Sequence, residues 1–380
     1  MSPERILYAC RTLGVPDHDR CNALARERQV LCLVWPRNTD YVWDAPGPAR
    51  FEALEAAPAR PGVLGWAGAA WRFWRAALRF RPRVALVYGY QDPVLLVLAV
   101  MLRARGSIVL SMNDSKFDDY GRRVLREALK ALFLVPYQGI LAATPRAADY
   151  VRFLGRGRVE LYACAIDTGR VAAAARQAFA ATPFAERDFL VVARFVAKKN
   201  HMALLDLYEA YLARAPSPRR LRLVGYGELE AAVAARVAGS DALQRFVRIE
   251  GYRPAAEMPA VMAGALALLL PSIEEQFGIV VTEALACGIP VILSPACGAT
   301  LLVEDFVTGF VVDPANAEGW IEALERMGDE AAWRRMSARC PAAARRADTR
   351  VFVAALGRLA AAVEGRTQPR GRLKQRRSRS

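Results

Sequence analysis

Along this 380-residue chain, short continuous apolar runs alternate with longer stretches whose apolar residues recur at helical spacing. Runs at 5–9, 29–35, 84–88, 107–111, 139–142 and 159–163 read as strands in the first half, and 188–193, 221–224, 246–250, 265–270, 291–293 and 308–313 in the second. Continuous rather than alternating hydrophobicity marks strands covered on both faces, as in parallel sheets. Helical spacing follows at 21–27, 66–80, 92–103, 122–134, 146–154, from His201, and over 279–287, 316–327, 331–344 and 351–364. Strands that alternate with helices predict an α/β chain with doubly wound sheets. The alanine-rich, weakly patterned stretch 168–187 reads as a linker between a domain over 1–167 and one over 188–345, with a last helix over 346–364.

The most informative segment is 265–298, ALALLLPSIEEQFGIVVTEALACGIPVILSPACG. It reads as strand, loop, helix, strand, with Gly288 ending the helix and Pro290 opening the next strand. Glu275 stands in the loop and Glu283 about one turn into the helix, so both reach the space beyond the carboxyl end of the strand, where open α/β sheets bind ligands. The amides of Phe277, Gly278 and Ile279 open into the same space and attract anions. Gly278 admits close backbone approach. Two acids around an anion-binding helix start describe a site for a nucleotide sugar.

Composition narrows the classes. With 54% hydrophobic and 24% charged residues the chain is globular. No apolar run is long enough to span a bilayer, and the start lacks a signal-peptide pattern. Seven scattered cysteines without a C-x-x-C pair read as buried thiols in a reducing cytoplasm. The net charge of +15 favours anionic partners. Residues 365–380, rich in arginine and free of acids, read as a disordered basic tail. No helix-turn-helix, zinc spacing or aromatic-basic strand points to nucleic acid. The helix at 66–80 sets Trp66, Ala70, Trp74, Ala77 and Leu78 on one face and Arg72, Arg75 and Arg79 on another. That pattern suits either an anionic membrane surface or packing on a sheet with the arginines in water.

The segment 271–291, PS-x-x-E-x-FG-x-x-x-x-EA-x-A-x-G-x-PV, resembles the E-x7-E motif of retaining GT-B glycosyltransferases of family 4, also called group 1. The resemblance is sharp over 189–314 and implies two Rossmann-like domains facing across a cleft, the second binding the nucleotide sugar. Arg194 and Lys199 match the family's R-x-x-x-x-K element, which implies diphosphate binding. Lys198 then reads as solvated and Asn200 as a helix cap. Gly225 falls in the family's G-x-G turn, and Tyr252 or Arg253 falls where the base is bound, although a plain surface loop fits those two equally. Glu275 is expected to hold donor-sugar hydroxyls and Glu283 the ribose, with Thr300 and Gly14 as candidates for contact with the sugar or acceptor. In the first domain the family's glycine pair is reduced to Gly14. The family's cleft histidine has no counterpart, since only His18 and His201 occur. Asn113, Asp114 and Lys116 stand near its place as candidates for the sugar or acceptor, while Ser115 and Asp118 match a capping box.

The expectation is therefore a metal- and cofactor-independent hexosyltransferase with catalytic Arg194, Lys199 and Glu275. It would act on a hydroxyl acceptor, lipid-linked or glycan, in glycolipid or cell-envelope polysaccharide synthesis. A cytoplasmic location, with peripheral contact at an anionic membrane, goes with it. A GT-B epimerase or hydrolase, or a basic nucleic-acid-binding protein, are the rival readings.

Overall fold

The computed structural model describes residues 4–35, 47–57, 62–119, 121 and 123–365. The expected basic tail lies, apart from Gly365, outside them. The N-terminal sheet holds β1 (Arg5–Cys10), β2 (Gln29–Val34), β3 (Glu52–Glu55), β4 (Val84–Val87), β5 (Ile108–Asn113), β6 (Gly139–Ala142) and β7 (Val159–Leu161). Their order is β3-β2-β1-β4-β5-β6-β7. The C-terminal sheet holds β8 (Asp188–Val192), β9 (Leu221–Val224), β10 (Val247–Gly251), β11 (Ala265–Leu270), β12 (Val291–Leu293) and β13 (Gly309–Val311), in the order β10-β9-β8-β11-β12-β13. All pairings are parallel. Strand order reverses between β1 and β4 and again between β8 and β11, and a crevice opens beyond the carboxyl ends at such switch points.

Helices α1 (Val15–Leu24), α2 (Val63–Phe80), α3 (Pro93–Ala104), α4 (Val124–Phe133) and α5 (Pro145–Phe153) belong to the first sheet. After α6 (Thr168–Ala181), the second carries α7 (His201–Arg214), α8 (Glu230–Ala238), α9 (Asp241–Phe246), α10 (Met258–Ala263), α11 (Ile279–Ala286), α12 (Ala317–Met327) and α13 (Glu330–Ala344). Helix α14 (Thr349–Glu364) then lies on the N-terminal sheet against β6 and β7. There Leu359 comes so close that a Cβ on Gly139 would stand 2.7 Å from its Cδ1. Ion pairs Arg358–Glu160 (2.8 Å) and Arg83–Glu364 (2.5 Å) flank the contact.

Several elements differ from the sequence reading. The stretch 168–187 is no linker, because α6 fills most of it and packs on α10 and α11. Its alanines are small enough to let the helices approach. Arg187 fastens the end of this stretch, donating to the carbonyls of Ala263 (2.6 Å) and Phe179 (2.8 Å) and lying over the rings of Phe179 and Trp333. Helix α1 begins at Val15, well before 21, with Pro16 in its first turn, where the missing amide costs nothing. The four-residue edge strand β3, half of it acidic, escaped the pattern. No capping box forms at Ser115: residues Phe117–Asp119 make a 3-10 turn, and Asp119 instead accepts the Lys116 amide at 2.6 Å. Helix α2 buries Ala69, Ala70, Phe73 and Ala77 against the sheet, holds Trp74 and Leu78 half-buried, and leaves Trp66 exposed along with Arg72, Arg75 and Arg79, so only part of its apolar stripe is core. No helix among the described residues is long and apolar enough to cross a membrane.

Candidate active site

Strands β8 and β11 are hydrogen-bonded neighbours, so the loops leaving their carboxyl ends lie side by side. The first, 194–200, ends in a 3-10 turn (Ala197–Lys199) and in Asn200, whose φ of 61° turns the chain into α7. The second, 271–278, leads into α11. Four contacts join them. The Ile273 amide donates to the Lys198 carbonyl at 2.9 Å, and the Asn200 side chain donates to the Pro271 carbonyl at 3.2 Å. Lys198 pairs with Glu274 at 3.0 Å, and Lys199 pairs directly with Glu275. Asn200 thus joins loops instead of capping α7 with its side chain, and Lys198 is partnered, not merely solvated. Lys199 and Glu275, distant in sequence, meet with both side chains largely buried.

The start of α11 is bare. Among the described residues no acceptor takes the amides of Phe277, Gly278, Ile279 or Val280, while the Val281 amide returns to the Gly278 carbonyl. These N–H groups form the positive end of the helix. Gly278 has φ 89°, and a Cβ there would meet Cys297 Sγ at 2.9 Å, so the room it leaves is taken by protein. Loop 295–299 closes on the same turn: Cys297 Sγ and the Ala299 amide both donate to the Phe277 carbonyl (3.0 and 2.7 Å). A Cβ on Gly298 would stand 2.1 Å from the Gln276 carbonyl oxygen. Thr300 sits half-buried in the 3-10 turn Gly298–Leu302. Gly225 has a packing reason as well, since its Cβ would lie 1.9 Å from the Ala193 carbonyl oxygen. Tyr252 is exposed and set edge-to-face with Tyr226 at 5.7 Å.

On the facing domain, Lys116 is 1% exposed and its ammonium is committed. It pairs with Asp119 at 3.1 Å and crosses the cleft to donate to the carbonyls of Ala296 (3.1 Å) and Glu275. It is an interdomain tie, which corrects its expected place among groups facing the sugar or acceptor. Asn113 is buried and spends its amide on the Ser115 carbonyl at 2.9 Å. Half-buried Asp114 accepts from the Tyr88 hydroxyl at 3.3 Å, and burial pushes its carboxyl up. Gly14 caps α1, where its carbonyl accepts the His18 amide at 2.9 Å. His18 packs on Phe51 and is buried; so is His201, on Phe195, where burial holds its imidazole down at about 4. His201 is therefore a core residue, not an edge one. Among the described residues no three His, Cys, Asp or Glu side chains group closely enough to hold a metal ion.

Residues 177–346 match the model of the family described as glycosyl transferases group 1. The C-terminal domain belongs to that family. D-inositol 3-phosphate glycosyltransferase of Corynebacterium aurimucosum is 34% identical over 117 residues, 30% of this chain and 28% of that protein. The O-antigen chain mannosyltransferase B of Escherichia coli is 27% identical over 140 residues, 37% of this chain and 36% of that one. The chain thus spans about a third of the length of the curated relatives it matches. HepE of Anabaena, solved with UDP-glucose, superposes with a TM-score of 0.69 at 16% identity, covering 95% of this chain and 99% of that one. At that identity the likeness shows the fold alone, and the fold is GT-B.

The second motif acid of the group 1 glycosyltransferase domain, Glu283, lies in the field of two charges the pattern did not single out. Asp19 of α1 and Arg170 of α6 pair at 2.8 Å, and Asp19 also accepts the Asp167 amide at 3.0 Å. Both charges act on Glu283, which burial pushes up to about 7, with Arg170 opposing and Asp19 reinforcing the shift. A carboxyl that binds its proton more tightly folded than unfolded makes folding less favourable as pH climbs from 4.5 to about 7. Glu283→Gln fixes the neutral form. It is expected to raise the melting temperature of the ligand-free protein at pH 8 and to leave it unchanged near pH 4.5. Equal shifts at both pH values would refute this.

Proposed function

We propose that the protein is a retaining glycosyltransferase that moves a hexosyl group from a nucleoside-diphosphate sugar to a hydroxyl acceptor, lipid-linked or glycan. The observation that carries the reading is the meeting of Lys199 and Glu275 beside the bare amides of α11. When the bond from the anomeric carbon to the diphosphate breaks, positive charge grows on the sugar and negative charge on the leaving group. Lys199, Arg194 on the same loop, and the amides of Phe277, Gly278 and Ile279 stabilise that leaving group with protein groups alone. Glu275 accepts from donor-sugar hydroxyls, Glu283 from the ribose, and Tyr252 lies beside the base. The acceptor hydroxyl enters on the face the diphosphate leaves, which retains configuration.

The named relatives act on an inositol phosphate and on an O-antigen chain, which supports a role in glycolipid or cell-envelope polysaccharide synthesis. The neighbour bound to UDP-glucose supports a nucleotide-sugar donor. Thermal melts with UDP-, GDP- and ADP-sugars test the reading. At a hundredfold excess over Kd, mass action adds about 2.7 kcal/mol, so one nucleotide series is expected to raise the melting temperature clearly. Mass analysis of products with glycan and lipid acceptors then separates transfer from hydrolysis or epimerisation. Failure of every nucleotide sugar to stabilise the protein would end the reading.

A further inference from the structure

At the switch point of the first sheet, the loops after β1 and β4 are built around the stem of Arg11. Arg11 is the first residue beyond β1, and Gly89, with a φ of 113°, stands in the loop that leaves β4. A Cβ on Gly89 would come within 3.2 Å of Arg11 Cδ and 3.1 Å of Leu95 Cδ1, so glycine there leaves the arginine its place. The Arg11 side chain is half-buried, and its Nε is sealed from solvent. Among the described residues nothing accepts a hydrogen bond from that Nε, and no acid pairs with the guanidinium.

Other cations on this side of the cleft are spent. Arg20 pairs with Asp17 at 3.1 Å, donates to the Ala165 carbonyl at 3.0 Å and lies over the Tyr162 ring. Lys116 is tied to Asp119, Arg170 to Asp19 and Arg146 to Asp118. Two acids of these loops are engaged as well, since Asp17 also accepts from the Tyr8 hydroxyl at 2.5 Å and Asp114 accepts from the Tyr88 hydroxyl. A guanidinium drawn half out of water without a counter-charge loses hydration that nothing in the fold returns. Native folds seldom seal a donor without a partner, so one left open at a switch point marks a place where a ligand supplies the acceptor. Guanidinium best matches an oxyanion, carboxylate or phosphate, gripped by two parallel N–H groups. In the proposed reaction Lys199, Arg194 and the α11 amides of the facing domain hold the donor's diphosphate. The oxyanion at Arg11 therefore belongs to the other substrate.

We propose that Arg11 binds an oxyanion carried by the acceptor, a phosphate ester or a carboxylate, and so selects anionic acceptors over neutral ones. This deepens the proposed function and rests on it. The first test compares the full-length parent with Arg11→Gln, which should melt at or above the parent because the uncompensated charge is gone. Each is saturated with the nucleoside diphosphate, UDP, GDP or ADP, that stabilises the parent, and then titrated with inorganic phosphate at constant ionic strength. Phosphate is expected to raise the melting temperature of the parent further and to do little for Arg11→Gln. Stabilisation by the nucleotide itself should be equal in the two proteins. If the phosphate effect is missing while the nucleotide still stabilises both, the acceptor assignment falls and the donor reading stands. Kinetics then names the source of the oxyanion, using glycan acceptors that are neutral, bear a phosphate ester or bear a uronic-acid carboxylate. The parent should prefer one anionic series, and Arg11→Gln should raise KM for that series by roughly tenfold to a hundredfold, the scale of one charge-assisted hydrogen-bonded pair, with KM for the donor unmoved. Arg11→Lys keeps the charge without the two-pronged grip and should fall between. The phosphate titration decides by itself where none of the three series is turned over. Phosphate protection that survives Arg11→Gln, an acceptor KM that stays put, or a preference for neutral acceptors would each overturn the proposal. So would loss of nucleotide stabilisation in Arg11→Gln, because Arg11 would then serve the donor.

Discussion

Lys199→Ala is expected to lower both kcat and kcat/KM for glycosyl transfer by about 10²-fold or more, the scale of losing one group that stabilises a leaving oxygen. The Lys199 ammonium is largely buried beside Glu275, between the bare α11 amides and the turn that begins α7. In that water-poor place a cation acts on the departing diphosphate with little screening. Charge on the leaving group is greatest in the transition state, so the loss should fall on kcat and kcat/KM alike and leave KM nearly constant. Lys198→Ala is the internal control. Its partner Glu274 is about a third exposed, and surface pairs of that kind contribute about 0–1 kcal/mol, so near-parental rates are expected. Steady-state kinetics on the three proteins decides the matter. A Lys199→Ala rate within threefold of the parent would remove the residue from the proposed chemistry.

The contrast between those neighbouring lysines shows what could be read from the chain. The apolar run of β11, the acids after it and the Gly288–Pro290 stop stand next to one another in sequence, so their local pattern announces the strand, loop and helix. That Lys199 faces Glu275 while Lys198 faces Glu274 depends on how two loops leave adjacent strands, and no periodicity encodes it. Asp19 and Arg170 were invisible for the same reason: one lies within α1, the other in a stretch whose alanines hid a helix. Lys116 was legible as a cleft residue, but its partners across the cleft are main-chain carbonyls, which any residue supplies and which leave no signature. The orientation of α4, which buries Glu127 and Lys130 and exposes Leu125, Leu129 and Leu132, was hidden differently. Amphipathic spacing reports that a helix has an apolar face and is silent on which way the face turns. Here a charged triad with Tyr150 decides.

Lys116→Met is expected to destabilise the protein by about 3–5 kcal/mol, the usual cost of removing one partner of a buried ion pair, because Asp119 is left charged and nearly solvent-free. The same change frees the carbonyls of Glu275 and Ala296 from the facing domain, so transfer should fall as well. Lost stability alone could mimic that fall, and a second substitution separates the two. Adding Asp119→Asn removes the orphaned charge and keeps an oxygen for the Lys116 amide, which Asp119 accepts at 2.6 Å. Replacing both members of a buried pair with neutral groups is often close to neutral in energy, so the double variant should regain most of the lost unfolding free energy. It should not regain activity, because the ammonium that donates across the cleft to the Glu275 and Ala296 carbonyls is still missing. Denaturant melts and initial rates on the parent, the two single variants and the double variant complete the cycle. Recovery of rate together with stability would show that Lys116 serves only the fold, and that the position of Glu275 does not depend on the tie.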